Sequence, residues 1–300
     1  DHLGSRRFII LFALICLAGL SATYVASQAI RGAVGNPEVA KFVFLKLFTV
    51  STGSLPPFVV FVSFLGPLAG LALGFDAVNS ERASGTMSRV ISQPVYRDSF
   101  INGKFLAGLT TVAFMLACIM LILSGLGLMM IGVGPTGEEI SRLIAFFLIS
   151  VVYVAFWMAL AVLFSTVFRQ GATSALAGIA VWILMAFFMT MIAGLVANAV
   201  VPLSADSDVS AQLANANVAQ VVARISPTQL YQEAITPILV PEVNFVGIVL
   251  TSQMYGMVRS PLPLGQSLLV VWPQITTLVS LTMICFAIAY TFFMREEIRA

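Results

Sequence analysis

Apolar and polar positions in this chain separate into long blocks. Six stretches, residues 8–30, 57–75, 105–133, 143–168, 172–200 and 268–294, hold no Asp, Glu, Lys, Arg or His. A helix of about 20 apolar residues crosses the roughly 30 Å of bilayer hydrocarbon and satisfies its own backbone while doing so. The pattern predicts an all-α polytopic membrane protein with six transmembrane helices, forming a single domain over residues 1–300. Composition agrees: 59% of the 300 residues are hydrophobic and only 9% charged. Soluble domains carry about 25% charged residues, and so few could not cover a water-facing surface.

One block breaks the pattern. Residues 76–104, DAVNSERASGTMSRVISQPVYRDSFINGK, carry seven charged side chains: Asp76, Glu81, Arg82, Arg89, Arg97, Asp98 and Lys104. A polar island between two spans belongs in water. Within it Gly85 is a natural break, Thr86 can cap, and MSRVISQ makes about two helical turns that Pro94 stops. Asp98 or Ser99 then caps the helix that becomes the third span.

Local signals place the other joints. Pro56 and Pro57 can open the second span, and Pro67 should kink it by removing a helix hydrogen bond. Thr136 and Glu139 have capping-box spacing for the fourth span. Glu138 and Glu139 suit its N-terminal dipole end and Arg169 its C-terminal end. Gly171, Gly178 and Gly194 in the fifth span read as close helix-packing positions. The segment KFVFLKLF after the first span reads as a short interfacial piece. Residues 201–267 read as an external cap of helices parallel to the membrane. In it Val209, Leu213, Val218, Val222 and Ile225 form an amphipathic face. Ser226, Pro227 and Gln229 give an N-cap, first-turn proline and return-bonding Gln, and Pro237, Pro241, Pro261 and Pro263 act as breaks.

The Lys and Arg residues divide unevenly between the two sides. Arg6, Arg7, Arg82, Arg89, Arg97, Lys104, Arg169, Arg295 and Arg299 fall on one, and Arg31, Lys41, Lys46, Arg142, Arg224 and Arg259 on the other. The positive-inside rule places the first group, both termini and the 76–104 loop in the cytoplasm. The net charge of +2 gives no reason to expect nucleic acid as a partner. Cys16, Cys118 and Cys285 fall in three different apolar runs and make no disulfide or metal pattern. The opening DHLGSRRF has neither an initiator Met nor a cleavable signal pattern, so the natural chain is expected to begin earlier.

Missing chemistry narrows the function further. An ion-coupled carrier needs ionisable groups at membrane depth, and the six runs hold none. The single histidine, His2, rules out a Ser-His-Asp triad or an H-E-x-x-H zinc helix. Gly103 and Lys104 do not complete a phosphate loop, since Asp98 stands where its first Gly belongs and Phe105 replaces the Ser or Thr. Met185, Met189 and Met191 could line a Cu(I) path, although methionine is more often an apolar filler. The chain thus has no evident catalytic centre, metal or cofactor, and no means of using a nucleotide.

The run D-A-x-N-x-E-R-x-S-G-T, followed by S-x-P-V-x-R-D and G-K, resembles the ABC-2 class of ABC transporter permeases. Within that class it is most similar to the permease of the ABC system linked to copper-site maturation of nitrous-oxide reductase. The matching positions are Asp76, Asn79, Glu81, Arg82, Gly85, Thr86, Ser92, Pro94, Arg97, Gly103 and Lys104. The tail FMREEIRA also resembles the end of such permeases. Family members usually begin with an amphipathic cytoplasmic helix, where here only DHLGSRR precedes the first span.

The resemblance implies a type V exporter-like architecture with external amphipathic helices before the last span. It implies two cytoplasmic ABC ATPase subunits, carrying the ATP and Mg, and a second permease copy in a homodimer. It also places the protein in the cytoplasmic membrane of a prokaryote, among membrane lipids, with 201–267 open to a periplasmic partner. Residues 85–93 then correspond to the helix that enters an ATPase cleft. The implied coupling residues are Glu81, Arg82, Gly85, Thr86, Met87, Arg89, Val90, Gln93, Pro94 and Arg97. The expected function is a non-enzymatic permease subunit that couples ATP hydrolysis by its partners to export or to a mechanical signal. The rival readings are a non-transporting membrane scaffold and, more weakly, a lipid-modifying enzyme.

Overall fold

Helix is the one backbone form that hydrocarbon tolerates from an open chain, and it dominates here. The computed structural model describes residues 6–33, 42–51, 55–85, 97–203, 208–242 and 261–295. In order come α1 (Arg6–Ala33), α2 (Val43–Thr49), α3 (Phe58–Gly74), α4 (Asn79–Ala83), α5 (Arg97–Ile131) and α6 (Gly137–Val167). The fifth span is α7 (Gly171–Ile183), a π-helical turn (Leu184–Phe188) and α8 (Met189–Val200). Then follow α9 (Val209–Ala223), α10 (Pro227–Leu239) and α11 (Leu264–Arg295). Six helical stretches are long and apolar enough to cross a membrane: Phe8–Arg31, Phe58–Ala83, Asp98–Ile131, Gly137–Val167, Gly171–Val200 and Leu264–Arg295. No strand occurs among the described residues.

Helix α6 is the pillar. It is apolar on all sides: Tyr153, Val154, Trp157, Ala159 and Ala161 are wholly buried, while Ile140, Ile144 and Leu148 near its start leave an exposed apolar row. Helix α3 lies against it almost backbone to backbone, through glycines spaced four apart. A Cβ on Gly70 would stand 2.6 Å from the Val154 carbonyl oxygen, and one on Gly74 would stand 2.7 Å from that of Met158. Gly66 continues the row, 3.0 Å from Val154 Cγ2. Lipid tails are as apolar as leucine, so helices in a bilayer associate through such close packing. The small-residue seam is therefore on α3. In the fifth span a Cβ on Gly178 would stand 2.8 Å from Leu71, whereas one on Gly194 would meet nothing within 4 Å among the described residues. Pro67 lies inside an uninterrupted α3.

The capping box at the start of α6 is formed. Thr136 Oγ1 accepts from Glu139 N, and Glu139 Oε2 accepts from Thr136 N at 2.8 Å. Glu139 Oε1 also accepts from Phe44 N at 2.8 Å and so anchors the first turn of α2. That segment is a wedge buried in the bundle, with Phe44, Leu45, Leu47 and Phe48 enclosed. One turn along α6, Arg142 is wholly buried. Its guanidinium donates to Glu138 (2.8 Å) and to the carbonyls of Pro237 (3.3 Å), Ile238 (2.8 Å) and Leu262. It also reaches Ser267 Oγ at 3.4 Å. A single arginine thereby joins α6, the end of α10 and the start of α11.

Helices α9 and α10 do not lie flat across the end of the bundle. Asn215 donates to Asn198 Oδ1 (2.9 Å) and Val201 O (2.7 Å), while Ser226 Oγ donates to Met185 O at 2.8 Å. Between those contacts α9 runs back along the fifth span for about 20 Å at 1.5 Å per residue. Helix α10 then returns along α6, where Tyr231 meets Ser150 at 2.8 Å and stacks on Tyr153 with centroids 4.1 Å apart. The pair is a hairpin dipping among the spans. Of the apolar positions spaced along α9, Leu213, Val218 and Val222 are half-buried and Val209 and Ile225 exposed, while Asn215 and Ala223 are the buried ones. Pro237 sits inside α10 rather than ending it.

Replacing Gly70 by Ala should cost about 1–3 kcal/mol, since the new methyl meets backbone that cannot rotate away. Gly125→Ala, where a Cβ meets nothing within 4 Å, should cost nothing and gain from helix propensity. Unfolding of the two variants in mixed micelles checks the contrast.

Candidate functional site at the polar elbow

The described half of the polar island is bonded to the bundle rather than loose in water. After α3 the chain turns through Asp76 into the one-turn helix α4. Val78 N and Asn79 N both donate to Ser165 Oγ, at 3.0 and 3.2 Å. The Asn79 amide, oriented with its nitrogen toward α6, donates to Phe168 O at 2.8 Å and Ser165 O at 3.2 Å. Arg82 completes the clamp. Its Nη2 donates to Thr166 O at 3.1 Å, and Nη1 to Phe168 O (3.4 Å) and Ser165 O (3.5 Å).

Those acceptors are the carbonyls that the last turn of α6 leaves without helical partners. The C-terminal end of a helix is also the negative end of its dipole, where a cation is favoured. No basic residue lies in α6's own last turn. Arg82 supplies one from another element. Arg169, expected in that role from the sequence, is exposed.

A second set of contacts ties the elbow to α5 and α11. Glu81 Oε1 pairs with Lys104 Nζ at 2.8 Å, and Lys104 sits 5.5 Å from the centroid of the Phe100 ring. Phe100 stacks on Phe293 with centroids 5.7 Å apart. Ala77, Val78, Ile101, Val162, Ala289 and Phe293 close a small apolar cluster beneath the elbow. Gly85 follows α4 with φ of +67°, the left-handed conformation that glycine takes without strain.

Of the implied coupling residues, the structure brings Glu81 and Arg82 onto the ends of spans and sets Gly85 at the exit. Arg97 opens α5. Thr86, Met87, Arg89, Val90, Gln93 and Pro94, and with them the short helix expected over 85–93, lie outside the described residues. Ser165 and Thr166 were not anticipated, and nothing in a run of apolar residues marks them as acceptors. The cap expected at Asp98 or Ser99 falls inside the helix, which begins at Arg97; Asp98 Oδ1 accepts from Ser99 N at 2.8 Å within the first turn.

A family model described as ABC-2 family transporter protein matches residues 1–298. The chain belongs to that family. No curated protein matches it. As a family member it is a multi-pass membrane component of an ABC transporter and not itself the catalytic subunit. In this ABC-2 protein the elbow is a polar surface hydrogen-bonded into the spans. Among the described residues no group of three or more His, Cys, Asp and Glu gathers as metal ligands would.

A second polar cluster went unseen in the sequence. Glu233, on α10, is buried and accepts from Arg224 Nε (2.8 Å), Gln220 (3.1 Å), Gln274 (3.2 Å) and Gln229 (3.3 Å). It lies outside the six long apolar runs, so hydropathy gave it no depth. The hairpin brings it against Gln274 of the last span.

The two elbow contacts should differ in weight. The Glu81–Lys104 pair leaves about a quarter of each side chain exposed, and a double-mutant cycle on it should return about 0.2–1 kcal/mol. Arg82→Ala strips donors from several carbonyls at once and should cost about 2–3 kcal/mol. Arg82→Lys should recover only part of that, because an ammonium lacks the planar fork. Unfolding free energies of the five variants and wild type order these effects.

Proposed function

We propose that this ABC-2 protein is the permease through which separate ATPase subunits move cargo, or a mechanical signal, across the membrane. The observation that carries the reading is the hydrogen-bonded attachment of α4 to the end of α6. A push delivered beyond Gly85 reaches α6 through Asn79, Arg82 and Ser165, and reaches α5 through Glu81 and Lys104. The residues that receive the push are those of 85–93, seated in a cleft of an ATPase. Two ATPase subunits act on two copies of the permease, and the cargo path follows the seam between the copies. The first, second and fifth spans line that path. This arrangement makes the elbow the cytoplasmic end and places Arg142 at the outer end. The motif resemblance extends the proposal to the system that matures the copper site of nitrous-oxide reductase.

Gly85→Pro tests the coupling. Proline fixes φ near −65°, opposite in sign to the +67° that the turn uses. The variant should insert normally and co-purify with the ATPase, and hydrolysis should no longer drive transport. Arg89→Ala should lower permease-stimulated hydrolysis without changing the melting temperature. Transport at the wild-type rate in Gly85→Pro, or a complex with no nucleotide-binding partner, favours a scaffold instead.

A further inference from the structure

A small niche opens between α10 and the middle of the fifth span. Its volume is about 50 Å³, and Met185, Met189, Thr190, Ser226, Thr228 and Gln229 are among its lining. Counting one water per 10–15 Å³ of such space, it holds about three to five water-sized groups. Met185 lies 14 residues along the fifth span from Gly171, close to halfway. A larger groove of about 350 Å³, between α5 and α6, is lined by Phe44, Met120, Leu143 and Phe147 and offers only the Ser124 side chain as a polar group. Of these two, the small niche has the greater hydrogen-bonding capacity.

We propose that this niche binds the uncharged, hydroxyl-bearing headgroup of an amphiphile, and that such an amphiphile is the cargo class. The second half of the proposal rests on the transporter reading above. The direction of the hydrogen bonds argues for it. Ser226 Oγ spends its proton on Met185 O, and Thr190 Oγ1 spends its own on Phe187 O. Tyr153 Oη donates to Ser63 O at 2.8 Å, so the proton between Tyr153 and Thr228 comes from Thr228. Gln229 must turn Nε2 toward the Glu233 carboxylate, and its carbonyl oxygen has no partner among the described residues.

What remains unused around the niche is the Gln229 carbonyl oxygen, the hydroxyl lone pairs, and the second amide hydrogens of Gln229 and of Gln232, whose Nε2 gives its first to Ser63. A site that both accepts and donates suits a group that does both, and the Glu233 carboxylate behind Gln229 sets it against a carboxylate or phosphate. A cation would also donate, but the nearby carboxylate, Glu233, is already paired with Arg224 at 2.8 Å, and an uncompensated charge at this depth is costly. Hydroxyl groups fit both conditions. Phe187 and Phe188 leave the same stretch of the span exposed, giving an acyl chain an apolar surface beside the niche.

Native mass spectrometry of the full chain released from nanodiscs tests this, with monoacylglycerol as the probe. The fatty acid and the alkylamine of equal chain length serve as comparisons. Wild type should retain the monoacylglycerol at least about tenfold over either. Ala186→Leu, which fills the niche without removing a hydrogen-bonding group, should lower that retention about tenfold at an unchanged melting temperature. Gln229→Leu should lower it as well. Equal retention by Ala186→Leu, or a preference for the fatty acid or the amine, overturns the proposal. No ATPase enters this measurement. Failure here with intact ATP coupling removes the headgroup assignment alone, and failed coupling with selective retention removes the transporter reading alone.

Discussion

A helix end near the edge of a bilayer carries carbonyls or amides that neither the helix nor the lipid can satisfy. The rest of this structure depends on how α6 meets that constraint. At its N-terminal end Thr136 and Glu139 cap the amides, and Glu139 lends its second oxygen to α2. At its C-terminal end the carbonyls of Ser165, Thr166 and Phe168 take protons from Asn79 and Arg82. Both solutions borrow from, or lend to, another element. Capping α6 and assembling the bundle are consequently one event.

Arg142 repeats the device with the roles exchanged. Here α6 supplies the guanidinium, and α10 and the segment before α11 supply the carbonyls. A buried guanidinium is costly unless its donors are matched, and five acceptors, counting Glu138 and Ser267, meet that demand. Such contacts give position more than strength. They leave α6, the hairpin and the last span few ways to slide past one another, while the glycine seam fixes α3 against the same pillar. A force entering at the elbow thus meets a body with little slack. Transmission through packed elements asks for that stiffness, together with two discrete arrangements to move between.

The six spans were legible in the sequence because hydrocarbon imposes a length and forbids charge. The cap of α6 was legible because Thr136 and Glu139 carry their own spacing. Gly85 was legible as a break for the same kind of local reason. Partnerships made in three dimensions were not. Nothing near Ser165 predicts that Arg82, 83 positions earlier, will cover its carbonyl. Arg142 counted only among the edge charges, because its carbonyl partners lie 96 and 120 positions further along the chain. Helix α9 was legible only in part: Leu213, Val218 and Val222 are half-buried, but its most buried positions are Asn215 and Ala223, whose partners lie on other elements. The Gly66, Gly70 and Gly74 row was overlooked beside the prominent Pro67, although its four-residue spacing was in plain view.

The rigidity of the elbow on α6 is the central claim, and a spin-label distance tests it most directly. Labels at exposed Ser84 and Arg169, in a chain with Cys16, Cys118 and Cys285 replaced, report the elbow against the end of the pillar. With the ATPase partner bound, adding a non-hydrolysable ATP analogue should leave the Ser84 to Arg169 distance distribution unchanged, while the Ser84 to Ser84 distance between copies shifts. A Ser84 to Arg169 distribution that moves with nucleotide would contradict the account, since the elbow would then swing free of the helix it is held to drive.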